Sequence, residues 1–356
     1  MKKLIISVAL SSAAFCLYGV PSRLADGDGI TVHEWGTFTS VAGPDGTPVT
    51  WNVLGCGSDL PHFVRVVGYK YVPDKVRMET PVLYFYSSHD LDASVKVSFP
   101  HGTITEFYPN AEWQENGNGF QWKSIKVQPG ATPEFPIEAA PSRYYAARAT
   151  DAAPLEVNGQ HEKFLFYRGV ADIPVPLSAR VEDERGIITV TNTGKDPVPA
   201  VMLFENRGGS IGYRNAGVID TARTIERPLL DQVSSSQIKT DLEGALIAQG
   251  LYPKEAAAMI DTWRDSWFEE GSRLIYILPE SAVNAMVPLE IKPVPARITR
   301  VFVGRIELIT SETKKTVSAA AAKNDTHTLA LYRRFLQPVG RSIGKAVNLP
   351  CEADRQ

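Results

Sequence analysis

The prediction of the fold starts from the stretch Thr31-Val32-His33-Glu34-Trp35-Gly36-Thr37-Phe38-Thr39. β-Branched and aromatic residues dominate it, and Gly-Pro-Asp-Gly follows at 43–46, a composition typical of a strand that runs into a turn. Because side chains alternate between the two faces of a strand, we expect Glu34 to share a face with Val32 and Phe38. An unpaired charge on an apolar face is costly, so the pattern predicts either a dedicated partner for Glu34 or a hydrated face.

The length and composition of the chain predict a globular protein. It has 356 residues, of which 44% are hydrophobic and 22% are charged, and its formal net charge is −3. This length allows one large hydrophobic core or two smaller ones. Because basic residues are not in excess, the composition gives no indication of a nucleic-acid partner or of binding to an anionic membrane surface.

Residues 1–25 have the pattern of a signal peptide. Two lysines precede an apolar run at 4–20, and a polar, glycine-rich segment follows. The run is short and weakly apolar for a membrane span, although an uncleaved anchor is the alternative. Lipid attachment at Cys16 is a third option, which Phe15 disfavours because a small residue is expected there. We therefore expect a periplasmic or secreted protein with no membrane span after cleavage of the signal.

Two cysteines remain after removal of the signal peptide. Cys56 and Cys351 could form a disulfide in an oxidising compartment, or both could stay free thiols. Sequence alone does not establish that their Cα atoms come close enough for a bond. No Cys-x-x-Cys motif is present, so neither a redox motif nor a structural zinc knuckle is indicated.

The mature chain divides by its patterning into two regions. Residues 26–232 contain short strand patterns separated by turn residues, which predicts an antiparallel β-sandwich. Residues 233–356 contain a helical hairpin at about 237–248 and 254–270, further strands and a last helix, all packed on the same core. The fold class that follows is α+β. The clearest strand patterns of the first region are at 62–71, 77–86, 94–99, 102–108, 119–127, 163–170, 177–182, 186–192 and 199–205.

Several strand patterns carry a charge on their apolar face. By alternation, Glu79 should lie with Leu83 and Phe85, and Arg305 with Val301 and Val303. Similar reasoning adds four more charges, so that three carboxylates match three guanidinium groups. We expect the six to meet at one end of the sandwich: Glu34, Glu79, Glu205, Arg168, Arg207 and Arg305.

Two interpretations of such a cluster stay open. It is either a structural ion network that closes the core, or a pocket in which a carboxylate acts as general acid or base. In the pocket, Arg168, Arg207 and Arg305 would hold an anionic or polar ligand together with His33, since the guanidinium fork pairs with oxyanions. Charge balance disfavours a tightly held divalent metal, and the sequence leaves the cofactor and the metal undetermined.

Familiar catalytic motifs are absent from the sequence. No pair of histidines has the His-Glu-x-x-His spacing, so a zinc peptidase helix is not predicted. No Gly-x-Ser-x-Gly elbow is present, and the glycine-rich segment at 208–212 lacks the lysine of a phosphate loop. If a metal site exists, His33 is the best candidate ligand, since it lies beside Trp35 on its face of the first strand.

Several motifs resemble a family of uncharacterised secreted bacterial proteins. They are His-Glu-Trp-Gly-Thr-Phe-Thr at 33–39, Met-Glu-Thr-Pro-Val at 78–82, and the segments 164–169, 262–277 and 301–308. The resemblance covers most of the mature chain and implies export and a shared fold. It implies no activity, so it assigns no catalytic residue.

Two functions are compatible with these observations. The first is an extracytoplasmic binding or structural β-sandwich with a buried Glu/Arg cluster, whose partner is an extracellular polymer or a small polar ligand. The second is a secreted hydrolase of a polymer such as a glycan, with Glu34 and Glu79 as the acid/base pair and Glu205 as a third candidate. A carboxylate pair roughly 5–9 Å apart in an open groove would favour hydrolysis.

Overall fold

The computed structural model describes residues 29–53, 60–67, 73–113 and 118–347. The predicted signal peptide, Cys16, Cys56 and Cys351 lie outside the described residues. The described strands are β1 (Thr31–Ala42), β2 (Trp51–Asn52), β3 (Arg65–Val66), β4 (Pro73–Asp74), β5 (Val76–Tyr86), β6 (Leu91–Ser98), β7 (Gly102–Tyr108), β8 (Glu112–Trp113), β9 (Gly119–Val127), β10 (Leu155–Val157), β11 (Gln160–Glu162), β12 (Leu165–Ala171), β13 (Leu177–Glu182), β14 (Ile187–Asn192), β15 (Val198–Arg207), β16 (Ser210–Ile219), β17 (Ala222–Glu226), β18 (Gly271–Ile277), β19 (Leu289–Lys292) and β20 (Arg297–Leu308). The described helices are α1 (Ser235–Ala248), α2 (Pro253–Trp267), α3 (Glu280–Met286), α4 (Ser311–Lys323), α5 (Thr326–Leu331) and α6 (Leu336–Ser342), with 3₁₀ turns at Arg143–Arg148, Asp183–Arg185 and Arg333–Phe335.

The fold is α+β, as the sequence predicts, and a nine-stranded sheet forms its centre. The strand order is β16-β15-β18-β20-β1-β5-β12-β7-β3, and most neighbours are antiparallel. β1 is an inner strand of this sheet, pairing antiparallel with β5 and parallel with β20. The parallel pair is a departure from the antiparallel pattern. A parallel pair requires a long connection between its two strands, and the chain between β1 and β20 includes α1, α2, β18, α3 and β19.

Both faces of the central sheet are covered. One face packs on a six-stranded sheet (β11-β10-β9-β6-β19) and a three-stranded sheet (β13-β14-β17), which gives the sandwich. We call it the sheet-packed face. The other face packs on α1, α2 and the 3₁₀ turn at Arg143–Arg148, and we call it the helix-packed face. In β1, Val32 and Phe38 point to the sheet-packed face, whereas Trp35 points to the helix-packed face.

The predicted helical hairpin is present as α1 and α2. The Ser234 hydroxyl accepts a hydrogen bond from the backbone N–H of Gln237 and so caps α1. Pro253 begins α2, where its missing N–H costs nothing. The predicted apolar stripe of α2 is buried against the sheet, from Ala256 to Trp267. Among the described residues, no helix has the length and apolar content that crossing a membrane requires.

An irregularity in β5 changes which face its side chains occupy. Thr80 has a φ of +44°, and the register against β1 shifts between Trp35 and Thr37. Met78 therefore shares the sheet-packed core with Leu83 although the two differ in parity. The prediction that Glu79 lies with Leu83 and Phe85 is wrong, because one bulged residue reverses the alternation.

Candidate functional site

The six predicted charges occupy three places, so the expectation of one shared cluster is wrong. Glu34 lies on the sheet-packed face, as its neighbours Val32 and Phe38 require. Glu205 and Arg207 lie near one end of β15, on the same face but in a separate ion network. Glu79, Arg168 and Arg305 come together on the helix-packed face.

Glu34 has the dedicated partner that its buried position demands. Its carboxylate accepts hydrogen bonds from the Tyr167 hydroxyl at 2.5 Å and from Arg300 Nε at 2.6 Å. Arg300 also donates to Asn284 Oδ1 at 2.8 Å. Burial lowers the pKa of Arg300, but the charge of Glu34, the Tyr167 hydroxyl and the hydrogen bonds to both together outweigh this and leave that pKa raised. The pair is buried, so this arrangement is an ion pair inside the core and not an open catalytic carboxylate.

Glu205 belongs to a network that joins the central sheet to α4. Arg227 Nε and Arg207 Nη2 donate to its two carboxylate oxygens at 2.7 and 2.6 Å. Arg227 also contacts Asp183 and Glu312, the latter in the first turn of α4. Burial raises the pKa of Glu205, and the pairing with Arg227 opposes this only in part. These contacts connect separate elements, and they describe a structural role for Glu205 and Arg207.

Arg305 ties α2 to the helix-packed face of the sheet. Its guanidinium donates to the carboxylates of Glu307 and Glu269 and, at 2.6 Å, to Ser266 Oγ of α2. Arg273, on the neighbouring strand, donates to Glu307 at 3.3 Å and to the Trp267 carbonyl at 3.1 Å. The end of α2, whose carbonyls lack partners within the helix, is therefore held by arginines of the sheet.

Glu79 lies beside this contact and is surrounded by positive charge. Arg77 Nε is 3.2 Å from one carboxylate oxygen, and the Thr39 hydroxyl donates to the other at 2.9 Å. Burial raises the pKa of Glu79, but Arg77 and three further arginines (Arg168, Arg305 and Arg334) together lower it below its usual value. We call Glu79, Arg168, Arg273, Arg305 and Glu307 the buried charge cluster.

A pocket of about 190 Å³ opens next to the buried charge cluster. Three of its lining side chains are arginines, Arg77, Arg333 and Arg334, and one is an acid, Glu269. We call it the arginine pocket. Glu269 is already bonded to Arg305 and Arg334, so its charge is compensated from within the protein. The remaining lining is contributed by Trp51, Asn52, Val53, Ala330 and Leu331.

His33 lies away from the arginine pocket, near the start of α2. Its Nδ1 is 2.8 Å from a carboxylate oxygen of Glu255, and both side chains are fully buried. The Tyr86 hydroxyl and the Tyr252 backbone N–H also donate to Glu255, each at 2.7 Å. Within the described part of the chain, His33 Nε2 has no hydrogen-bond partner. His33 and Arg168 therefore do not share a ligand site, contrary to the sequence-based expectation that all the candidate residues converge.

Three buried acids were missed by the sequence reasoning: Glu255, Glu162 and Glu307, the last being the partner of Arg273 and Arg305 described above. Glu255 anchors His33, and Glu162 is paired with Arg148 and Tyr144 at 2.6 and 3.0 Å. Glu255 had a usable signal, because it is the third residue of a helix that starts with Pro253, the position of a capping-box acid. Glu162 had none, since its partners come from a 3₁₀ turn. Over residues 29–53, 60–67, 73–113 and 118–347, no three His, Cys, Asp or Glu side chains are grouped to hold a metal ion.

The arginine pocket is chemically suited to an oxyanion, whereas Glu34 and Glu79 are not placed to catalyse hydrolysis as a pair. Glu34 and Glu79 lie on opposite faces of the central sheet. Thr39, the partner of Glu79, is five residues from Glu34, roughly 17 Å along β1. A water held between the two carboxylates is not possible at that separation.

Comparison with known proteins adds no functional assignment. No protein-family model matches the chain, and no curated protein matches its sequence. The expected relationship to secreted bacterial proteins is therefore neither supported nor opposed by these comparisons.

Some solved structures resemble the chain distantly. The Fcho1 mu homology domain from Danio rerio, with a bound Eps15 peptide, has 7% identity, covers 79% of this chain and 97% of its own, and gives a TM-score of 0.31. The yeast delta-COP-I mu-homology domain, complexed with a Dsl1 WxWxV peptide, has 10% identity, covers 80% of this chain and 100% of its own, and gives a TM-score of 0.32. A second structure of the yeast delta-COP-I mu-homology domain has 11% identity, covers 80% of this chain and 100% of its own, and gives a TM-score of 0.33. These TM-scores are too low to support an argument about fold or function.

Proposed function

We propose that the protein is an exported binding protein whose arginine pocket holds an anionic group of an extracytoplasmic polymer or small polar ligand. The observation that supports this is the lining, in which Arg77, Arg333 and Arg334 face one compensated carboxylate, Glu269. A guanidinium group presents a planar fork of donors that matches phosphate, sulfate and carboxylate. The buried charge cluster then positions the lining and keeps its potential positive.

The structural and binding interpretations of the charges are complementary in this proposal. Arg305, Arg273 and Glu307 are fully buried and fix the end of α2, whereas Arg333 is exposed at the pocket. The hydrolase alternative has no comparable support, because its two carboxylates lie on opposite faces of the sheet. We therefore propose binding without turnover.

Calorimetric titration with sulfate, phosphate and malonate tests the binding step. Arg333→Gln removes an exposed guanidinium that is not part of the buried cluster. We expect it to weaken binding of the preferred anion about tenfold, since a hydrogen bond to a charged group is worth about 1.5 kcal/mol at the low end of its range. Arg333→Lys keeps the charge without the fork and should recover only part of the affinity.

The matched control is Arg264→Gln, which removes an exposed arginine on α2 that, among the described residues, pairs with Asp261 and Asp265 and does not line the arginine pocket. It should leave affinity unchanged. Binding of none of the three anions, or equal effects of the Arg333 and Arg264 substitutions, would remove the proposal.

Export is tested separately in a bacterial host. Expression of the full chain should give protein in the periplasm or medium, with residues 1–25 removed as judged by N-terminal sequencing. Retention of the intact N-terminus in the cytoplasm would show that the signal-peptide prediction is wrong, without affecting the binding experiment.

A further inference from the structure

A second pocket has a lining distinct from that of the arginine pocket. It is about 380 Å³ in volume and lies between the end of β1 and the helices α4 and α6. Its lining is mainly apolar, and its charged residues are Lys314, Arg341 and Asp183. The other lining residues are Ala42, Gly43, Pro44, Val49, Val181, Ile309, Pro338 and Ser342. We call it the cationic groove.

The charges of the cationic groove are not balanced. Both carboxylate oxygens of Asp183 are engaged, one near Arg227 Nη1 at 3.4 Å and the other by the backbone N–H and hydroxyl of Ser311 at 2.9 and 2.7 Å. Lys314 and Arg341 are exposed and pair with no carboxylate in the described ranges. Arg341 Nη1 donates a hydrogen bond to the Thr50 carbonyl at 3.1 Å. The positive charges of Lys314 and Arg341 therefore lie beside the apolar lining residues of the groove.

We propose that the cationic groove binds an amphipathic monoanion, specifically an aliphatic carboxylate of medium chain length. Ligand pockets of a few hundred Å³ are typically apolar, with a small number of polar groups that fix orientation. The alkyl chain covers Val49, Val181 and Ile309, while the carboxylate meets Lys314 and Arg341. A small polar anion does not bury the apolar lining residues. An uncharged alkyl chain brings no negative charge to Lys314 and Arg341.

Titration of the full chain with decanoate, acetate and decanol tests both halves of the proposal. We expect decanoate to bind at least tenfold more tightly than either acetate or decanol. The double substitution Lys314→Gln with Arg341→Gln should weaken decanoate at least tenfold and leave decanol unchanged. The control is Lys315→Gln, which removes the neighbouring exposed lysine of α4 that does not line the groove.

Two results would overturn the proposal. One is decanoate binding that is no tighter than acetate binding, or that is insensitive to the double substitution. The other is a chain that elutes as a dimer, dissociates on the double substitution and does not bind decanoate, which would make the groove an interface between copies. Arg333→Gln should not affect decanoate, so this experiment is separate from that on the arginine pocket.

Discussion

The negative charge of Glu79 compensates several buried arginines. Glu79 is 3% exposed, pairs with Arg77 and lies in the field of three other arginines. Removal of the carboxylate leaves these guanidinium groups close together with less compensation. We expect Glu79→Ala to lower the free energy of unfolding by about 3 kcal/mol, the lower end of the range for breaking a buried ion pair, as measured by urea denaturation.

The control for this measurement is an exposed pair. Glu290 contacts Lys96 at 3.1 Å with 64% of its side chain exposed, so Glu290→Ala should change stability by less than about 1 kcal/mol. Equal stability of Glu79→Ala and the parent would mean that the buried charge cluster does not depend on Glu79.

Two buried glutamates, Glu79 and Glu205, should contribute to the free energy of unfolding with opposite dependence on pH. The folded pKa of Glu79 is lowered from 4.5, so its contribution is fully present above pH 4.5 and is lost as the pH falls through the folded pKa. The folded pKa of Glu205 is raised from 4.5, so its contribution is present below pH 4.5 and is lost as the pH rises through the folded pKa.

Unfolding curves of Glu79→Gln and Glu205→Gln between about pH 3 and pH 7 measure this difference. The stability lost in Glu79→Gln should shrink at low pH, whereas Glu205→Gln should gain relative to the parent as the pH rises. The same slope for both variants would contradict the opposite directions of the two pKa shifts.

Side-chain alternation predicted five of the six charges correctly within their own strands, with Glu79 as the exception, and Arg207 shares the face of Glu205. Glu34 and Glu205 lie with the sheet-packed core, and Arg168 and Arg305 lie with the helix-packed core, each beside the apolar neighbours expected for it. Alternation does not tell which faces of two different strands lie on the same side of the sheet. Because the central sheet is covered on both faces, each strand has two apolar faces, and the assumption of a single interior failed.

At the scale of the element, β5 carries a local strain that alternation does not reveal. Thr80 is a β-branched residue at positive φ, where glycine is favoured, and its buried hydroxyl has no hydrogen-bond partner among the described residues. We expect Thr80→Gly to raise the free energy of unfolding by about 1 kcal/mol, because glycine adopts this conformation without strain. Thermal unfolding measures it.

Thr224→Gly provides the comparison for this prediction. Thr224 is exposed in β17 with ordinary strand geometry, so glycine there should cost about 0.5–1 kcal/mol. A loss of stability in both variants would show that the bulge of β5 is not strained. The sequence offered one hint of the bulge, the proline at position 81, because proline within an inner strand occurs at bulges.

The helical elements were easier to predict than the ion pairs that hold them. Ser234, Pro253 and the periodic stripe of α2 are local signals, and the hairpin follows from them. The partners of α2 are distant in sequence, since His33 and Glu255 are separated by 222 residues and Arg305 and Ser266 by 39. No local pattern reports such pairs, so the partners of His33 and Arg305 could not be read from the sequence, although the capping-box position of Glu255 is itself a local signal.

At the scale of the whole molecule, the two predicted regions share one sheet. β18 and β20, from residues 233–356, stand between β15 and β1, from residues 26–232. A fragment with residues 26–232 would expose one edge of β1 and separate β15 from the rest of the sheet. Neither region can therefore complete the central sheet alone, in contrast to domains that have independent cores.

We expect the full chain from residue 26 onward to unfold in one cooperative transition. Far-ultraviolet circular dichroism and tryptophan fluorescence should give coincident urea curves, because the tryptophans of α2 and β1 report on the same helix-packed core as the strands. The fragment 26–232, measured as a comparison, should lack native near-ultraviolet dichroism. Two separate transitions in the full chain, or a fragment with native tertiary signals, would show that the central sheet tolerates the loss of β18 and β20 and that the regions are independent domains.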